Sequence, residues 1–181
     1  EQSHLNLGVI LKDLGHLKEA ELSTRKAIQI NPNYAEAHST LGGILKDLGN
    51  VSEAELSTRK AIYLNPNYAQ SHSNLGGILR ELGHFKDAEL SVRKAIQLNP
   101  NYAEAYSTLG NIYIDIGQIK EAYSAYETSI KIKPNLDYTH RGLSIYFYLN
   151  GNIDSALNSI LRAYSLAPEN KTNKSKNVPK T

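Results

Sequence analysis

The stretch NPNYAEAHSTLGGIL, residues 31–45, decides the fold because it returns twice at a fixed interval. It recurs as NPNYAQSHSNLGGIL at 65–79 and as NPNYAEAYSTLGNIY at 99–113. Segments 35–68 and 69–102 are identical at 23 of 34 positions, which identifies them as copies of one structural unit. The prolines keep the same 34-residue step, at Pro32, Pro66, Pro100, Pro134 and Pro168.

Each copy is predicted to form two helices. In the first copy, apolar residues recur at steps of three and four, which indicates an amphipathic helix that Gly15 ends in the left-handed conformation. A second helix is predicted from about Lys18 to Asn31, where Pro32 stops it because proline cannot continue a helix and forces the preceding residue to be extended. The apolar residues of the first helix are Leu7, Ile10, Leu11 and Leu14, and those of the second are Ala20, Leu22, Ala27, Ile28 and Ile30.

A second glycine series falls inside the predicted first helices, at Gly8, Gly42, Gly76 and Gly110. Glycine inside a helix costs about 1 kcal/mol relative to alanine. Its regular use there predicts a close approach of the paired helices, with Ala20 and its equivalents opposite each glycine.

A single hairpin of this length cannot bury its apolar face, so the copies are expected to stack into one continuous core. The predicted fold is therefore all-α, an α-solenoid of antiparallel helix hairpins. We expect one solenoid over residues 1–170, with repeats at 1–34, 35–68, 69–102, 103–136 and 137–170. Residues 171–181 are predicted to be a disordered, basic polar tail.

The unit resembles the tetratricopeptide repeat, a helix–turn–helix of 34 residues. The residues that carry the resemblance are Leu7, Gly8, Leu11, Ala20, Ala27 and Pro32, and they recur in the later copies. This resemblance implies a right-handed superhelix whose first helices line a concave groove. The chain departs from the family at the fourth position of the repeat, where histidine replaces the usual bulky aromatic at His4, His38, His72 and His140.

The resemblance also implies which positions face a ligand in the groove. Their amides and hydroxyls suit hydrogen bonding to an extended peptide, the basic residues form a row, and the glycines leave room for a ligand to approach the helix. The candidate groove residues are Asn6, Lys12, Thr40, Gly43, Lys46, Asn74, Gly77, Arg80, Thr108 and Asn111.

Neither catalysis nor cofactor or metal binding is predicted. Equivalent positions on stacked helices lie about 10 Å apart, whereas zinc needs nitrogen ligands at about 2.0–2.1 Å from one ion. The repeated histidines are therefore interpreted as half-buried packing residues. The chain contains no motif of a catalytic elbow, a phosphate loop or a dinucleotide site.

Charge and composition narrow the class of partner. The net charge of +2 hides an asymmetry, since the last eleven residues contain four lysines and no acidic residue. Without them the chain is slightly acidic, so we expect no nucleic-acid partner. No apolar run reaches the roughly 18 residues of a membrane span. The sequence leaves the compartment open, with a cytoplasmic location favoured. Because the chain starts at Glu1 inside the repeat pattern and lacks methionine, it is interpreted as a piece of a longer protein.

Two further surfaces are predicted by the sequence. On the second helices, Arg25, Arg59 and Arg93 each follow a glutamate by four residues, which predicts a solvated, self-paired outer face. In the last copy, Tyr146, Phe147 and Tyr148 form an apolar run, for which we expect a role in end-to-end self-association.

Two functions are consistent with these patterns. The first is a protein–protein interaction scaffold that binds a peptide or partner protein in the groove without catalysis. The alternative is the substrate-presenting arm of a larger enzyme, such as a glycosyltransferase or another transferase, whose catalytic domain lies outside this chain.

Overall fold

The computed structural model describes residues 1–167, which form ten α-helices and contain no strand. The predicted class, an all-α helical repeat solenoid, is confirmed. The helices are α1 Gln2–Asp13, α2 Leu17–Ile30, α3 Ala35–Asp47, α4 Val51–Leu64, α5 Ala69–Glu81, α6 Phe85–Leu98, α7 Ala103–Asp115, α8 Ile119–Ile132, α9 Asp137–Leu149 and α10 Ile153–Leu166. They belong to two compact units, divided after Pro100.

The helices end at the glycine and proline positions that the sequence predicts. Gly15 has a φ of 82° directly after α1, and its equivalents Gly49 and Gly83 have φ values of 81° and 77°. Each second helix of the first unit ends at an extended asparagine, for example Asn31 with φ −135°, immediately before the proline. The Asn31 carboxamide oxygen accepts a hydrogen bond from the Asn33 amide at 3.1 Å, which stabilises the turn into the next hairpin.

The predicted close approach within each hairpin is confirmed in the first unit. A Cβ added to Gly42 would lie 2.0 Å from Thr58 Oγ1 and 3.2 Å from the Ala54 carbonyl oxygen. The same relation holds at Gly8, which lies against Thr24 and the Ala20 carbonyl. Glycine is thus required because the second helix of the same hairpin occupies the space that a methyl group would need.

Stacking of hairpins in the first unit builds a core that continues from one repeat to the next. Leu41, Leu45 and Ala54 of the second hairpin pack against Ile78 of the third. Ile28 of the first hairpin packs against this cluster, and it also packs against the neighbouring cluster that contains Leu5 and Ala37. The helices therefore contribute to contacts both within their own hairpin and with the next one.

In the second unit, α7–α10, Tyr126 stands at the repeat position that Thr24, Thr58 and Val92 occupy in the first unit. The Tyr126 ring is fully buried and lies against Gly110 of its own hairpin and Gly142 of the next. Ser129, which replaces the usual alanine, donates a hydrogen bond to the Ala103 carbonyl at 2.8 Å and contacts Thr139 Oγ1 at 3.1 Å. The departures from the repeat pattern at these positions are therefore accommodated by specific contacts.

Several of the apolar residues that indicated the helices of the first repeat do not lie in the core. Leu22 and Ile30 on α2 are 60% and 57% exposed. In the first repeat Ile10 is 56% exposed, whereas its equivalent Ile44 is completely buried because it packs in an interior repeat. Sequence periodicity identified the helices but did not separate core positions from exposed ones.

One continuous solenoid over residues 1–170, with a right-handed superhelical shape, stays a prediction. The end of the fifth repeat, including Pro168, and the predicted disordered tail at 171–181 lie outside the described residues.

Two adjacent glycines provide a matched test of the close approach. We expect Gly42→Ala to lower the free energy of unfolding by about 1–3 kcal/mol, because the methyl group overpacks against Thr58. Gly43→Ala should raise it by about 0.5–1 kcal/mol, because alanine favours the helix. The Cβ of Gly43→Ala would make only ordinary contacts, at 3.5–3.6 Å. Urea denaturation measures both values, and equal effects of the two variants would contradict the packing described above.

Candidate functional site

The candidate residues of the first unit lie on the first helices of its three hairpins, α1, α3 and α5, which pack side by side. We call this surface the inner face. Lys12 Nζ on α1 lies 3.5 Å from an Asp47 carboxylate oxygen, and Lys46 Nζ lies 3.4 Å from the other. One carboxylate thus stands between two ammonium groups, and the three charges sum to a positive value. Asp47 stands next to Lys46 in the sequence, but its contact with Lys12 of the preceding repeat was not predicted.

The glycines of the inner face are covered by these lysines. A Cβ at Gly43 would lie 3.6 Å from Lys12 Nζ and 3.5 Å from Asn74 Nδ2. At Gly77, the nearest groups are Lys46 Cδ and Nζ, at 3.9 and 4.0 Å. The space above each glycine is therefore bordered by the lysine of the preceding repeat, and a ligand there would meet an ammonium group as well as the helix.

Asn74 connects two repeats of the inner face. Its Nδ2 donates hydrogen bonds to the Ser39 carbonyl at 3.0 Å and to Ser39 Oγ at 3.3 Å. The Asn74 carboxamide oxygen has no hydrogen-bond partner within residues 1–167. An acceptor of fixed orientation is therefore available for a ligand N–H.

The other candidates of the first unit are placed less favourably. Thr40 is only 7% exposed, so it contributes to packing more than to a ligand surface. Asn6 is exposed, and its carboxamide oxygen accepts a hydrogen bond from Gln2 at 2.8 Å. Arg80 is half-buried in the last turn of α5.

The candidates of the second unit, Thr108 and Asn111, are both half-buried on α7. The Thr108 hydroxyl donates to the Glu104 carbonyl of its own helix at 3.0 Å. Asn111 Oδ1 accepts a hydrogen bond of 2.7 Å from the Tyr126 hydroxyl, so its acceptor is already engaged. The bulky tyrosine at position 126 was visible in the sequence, but its contact with Asn111 was not predicted.

The histidines pack as expected. His38, His72 and His140 are half-buried, and each Nε2 lies 2.8–2.9 Å from the carbonyl oxygen of the proline six residues earlier. Each ring therefore holds the turn that precedes its own helix. Within residues 1–167, no group of three or more histidine or acidic side chains could hold a metal ion.

The predicted ion pairs on the outer side of the second helices are confirmed. Arg25, Arg59 and Arg93 each contact the glutamate four residues earlier, at 2.8 Å. Arg25 also reaches Glu53 of the next repeat at 2.6 Å, and this hydrogen bond raises the pKa of the guanidinium above its ordinary value. The contact between repeats was not predicted, since helical spacing reports only on pairs within one helix.

The aromatic run of the last hairpin divides between two environments. The Tyr146 and Phe147 rings pack against Tyr123, with ring centroids 4.8 and 6.2 Å from that of Tyr123. Tyr148 is 67% exposed and lines an apolar cleft between α9 and α10. Of the three residues for which self-association is expected, Tyr146 and Phe147 are half-buried and Tyr148 is exposed, and self-association itself stays a prediction.

This chain is an α-helical repeat protein, because its paired helices recur at a constant interval along the sequence. Models of the tetratricopeptide repeat match residues 2–34, 35–68 and 79–140, and the chain belongs to the tetratricopeptide repeat family. The comparison with curated proteins gives no match. Proteins of this family are typically interaction scaffolds, and the fold and neighbours here are consistent with that class.

Several solved structures are similar over nearly the whole chain. MamA is 28% identical, with a TM-score of 0.62, and the match covers 92% of this chain and 96% of that one. TTC0263, a thermophilic tetratricopeptide repeat protein of Thermus thermophilus, has a TM-score of 0.83 at 22% identity, with coverage of 97% and 95%. YrrB, described as a protein with an unusual peptide-binding site, has a TM-score of 0.56 at 21% identity, with coverage of 97% and 91%.

In the part of the chain that the structure describes, every helix is too short or too polar to span a bilayer.

The bond between Tyr126 and Asn111 can be tested by a double-mutant cycle. We expect Tyr126→Phe and Asn111→Ala to show a coupling energy of about 1 kcal/mol, because a neutral hydrogen bond contributes about that much. The free energies of unfolding of the two single variants and the double variant give this value. Additive effects would show that the hydroxyl does not hold the amide, which would leave the Asn111 acceptor open to a ligand.

Proposed function

We propose that this chain is a non-catalytic protein–protein interaction scaffold that binds a peptide segment on the inner face of its first unit. Membership of the tetratricopeptide repeat family supports an interaction role. A similar fold, YrrB, is described as having a peptide-binding site, which supports a peptide as the ligand class. Binding of nucleic acid is not part of this proposal, and the cytoplasmic location stays a prediction.

The observation that carries the proposal is the arrangement of Lys12, Asp47, Lys46 and Asn74. Two lysines share a single carboxylate, so the group keeps a positive charge that a ligand carboxylate can neutralise. The Asn74 acceptor, held in place by Ser39, can bind a peptide N–H. The inner face therefore favours an extended peptide that carries an acidic side chain.

A test begins with selection of peptides of about a dozen residues from a phage-displayed library on the purified chain. The selected peptide is then titrated by fluorescence anisotropy against variants of the inner face. We expect Gly77→Trp to weaken binding at least about tenfold, a loss of about 1.4 kcal/mol, because the indole would cover the face. Folding should be retained, since the nearest atom to a Cβ there is 3.9 Å away.

A charge reversal with a matched control completes this experiment. Lys46→Glu should also weaken binding about tenfold, whereas Lys26→Glu should have no effect, because Lys26 is exposed on α2 and lies away from the inner face. Equal affinity of the wild type, Gly77→Trp and Lys46→Glu for every selected peptide would refute the proposal. The alternative function, a substrate-presenting arm of a larger enzyme, uses the same face and also stays a prediction.

End-to-end self-association is a second proposal, supported by the apolar cleft of the last hairpin. Tyr148, Leu157 and Ile160 line this cleft and are 67%, 55% and 43% exposed. A second copy could cover it through the N-terminal hairpin, where Ile10 and Leu14 are more than half exposed.

We expect Tyr148→Ser combined with Leu157→Ser to abolish any concentration-dependent rise of the sedimentation coefficient, because the pair removes apolar surface from the cleft. Phe147→Ser is not a suitable control, since its ring packs on Tyr123. Lys26→Glu serves instead and should sediment like the wild type. A wild-type chain that stays monomeric across the dilution series would refute self-association.

A further inference from the structure

The outer side of the first unit carries two clefts that have no assigned role. The first lies between α2 and α4 above α3, with a volume of about 510 Å³, and the second lies between α4 and α6 above α5, with about 480 Å³. Both are separate from the inner face, since their walls are the second helices of the hairpins.

The two clefts are copies of each other in the sequence register. Leu56, Ser57 and Lys60 line the first, and the residues 34 positions later, Leu90, Ser91 and Lys94, line the second. The opposite walls are equally related, as Ile28 and Ile62 show. One cleft is therefore presented at each step between hairpins, and α4 forms the ridge between the two.

Each cleft has an apolar interior. Leu41 and Leu75 form the floors and are only 4% and 6% exposed. The wall residues Leu56 and Leu90, by contrast, are 71% and 66% exposed. A ligand that covers these leucines removes apolar surface from water, which favours binding. This exposure has no role in the core, because both side chains point away from it.

The rim of each cleft carries an ammonium group without a carboxylate partner. Within residues 1–167, neither Lys60 nor Lys94 forms an ion pair: Lys60 lies 5.2 Å from the centre of the Tyr63 ring, and Lys94 contacts Gln97 at 3.3 Å. On the opposite walls, Arg59 is neutralised by Glu55, whereas Arg25 is shared by Glu21 and by Glu53, which also lines the first cleft. The cations without a carboxylate partner are thus Lys60 and Lys94; with Arg25, Glu21 and Glu53 the charges at the first rim sum to zero, and the net positive charge is at the second rim.

From this combination we propose that the outer clefts bind an acidic peptide segment with two apolar side chains, one for each cleft. Charge complementarity with Lys60 and Lys94 selects the acidic residues, and the leucine-lined interiors select the apolar ones. This site is independent of the inner face, so either proposal can fail alone.

The spacing of the clefts defines the conformation of the peptide. They are separated by one helix, α4, and packed helices lie about 8–10 Å apart. A polyproline II helix rises about 3.1 Å per residue and repeats every three residues, so side chains three positions apart lie about 9 Å apart on the same face. The bound segment is therefore extended, with apolar residues at positions i and i+3 and acidic residues between and beside them.

The probe is the fluorescein-labelled peptide DDLEDLEDD, titrated against the full chain by fluorescence anisotropy. Leu56→Ser combined with Leu90→Ser should weaken its binding at least tenfold, and so should Lys60→Glu combined with Lys94→Glu. The matched control is Leu22→Ser with Lys26→Glu, which changes the equivalent positions on α2, outside both clefts, and should leave the affinity unchanged.

Peptide variants and two further measurements separate the alternatives. DDSEDSEDD, without the leucines, and DDLELEDDD, with leucines two positions apart, should bind at least tenfold more weakly than DDLEDLEDD. Gly77→Trp on the inner face should leave binding of this probe unchanged, and its loss there would refute the outer site. A wild-type dimer that Leu56→Ser with Leu90→Ser converts to a monomer would show that a second copy occupies the clefts, which also overturns the proposal.

Discussion

The structure depends on the contact between the two helices of each hairpin at a mid-helix glycine. At Gly42 the second helix comes so close that its Ala54 carbonyl and Thr58 side chain occupy the position of a Cβ. This contact sets the distance between the helices, and repeating it at Gly8 and Gly76 gives each hairpin of the first unit the same cross-section. Identical cross-sections allow identical stacking, so the surfaces of the unit recur at the period of the sequence.

Much of this fold could be predicted because the responsible residues act locally. Gly15 and Pro32 end helices by their own backbone preferences, and no tertiary information is needed to recognise them. The exposure of Leu22 could not be predicted in this way, because an apolar residue on an amphipathic helix is normally assigned to the core. Which side of the second helix is covered depends on the neighbouring repeat, and periodicity within one helix does not report that.

The candidate site shows the same division between local and long-range information. Positions on the inner face could be named from the repeat, but the contact of Asp47 with Lys12 could not be predicted, because it joins different hairpins. Tyr126 is a similar case: it departs from the small residues found earlier at its position, and it therefore reaches across to Asn111 on the other helix of its hairpin. The side-chain contacts that the sequence did not predict are thus those that join two helices.

The inner and outer faces of the first unit differ in how many of their functional groups already contact other groups of the protein. On the inner face, cations, a carboxylate and an amide bind one another, so a ligand has to compete with or extend existing contacts. On the outer face, arginines are paired with glutamates of their own helices, and Arg25 also with Glu53 of the next repeat, while Leu56, Leu90 and two lysines keep their surface exposed. A ligand that covers exposed apolar surface displaces water from it and does not have to break a contact within the protein. The outer clefts are therefore the surface on which a ligand gains contacts with the least disturbance of the fold.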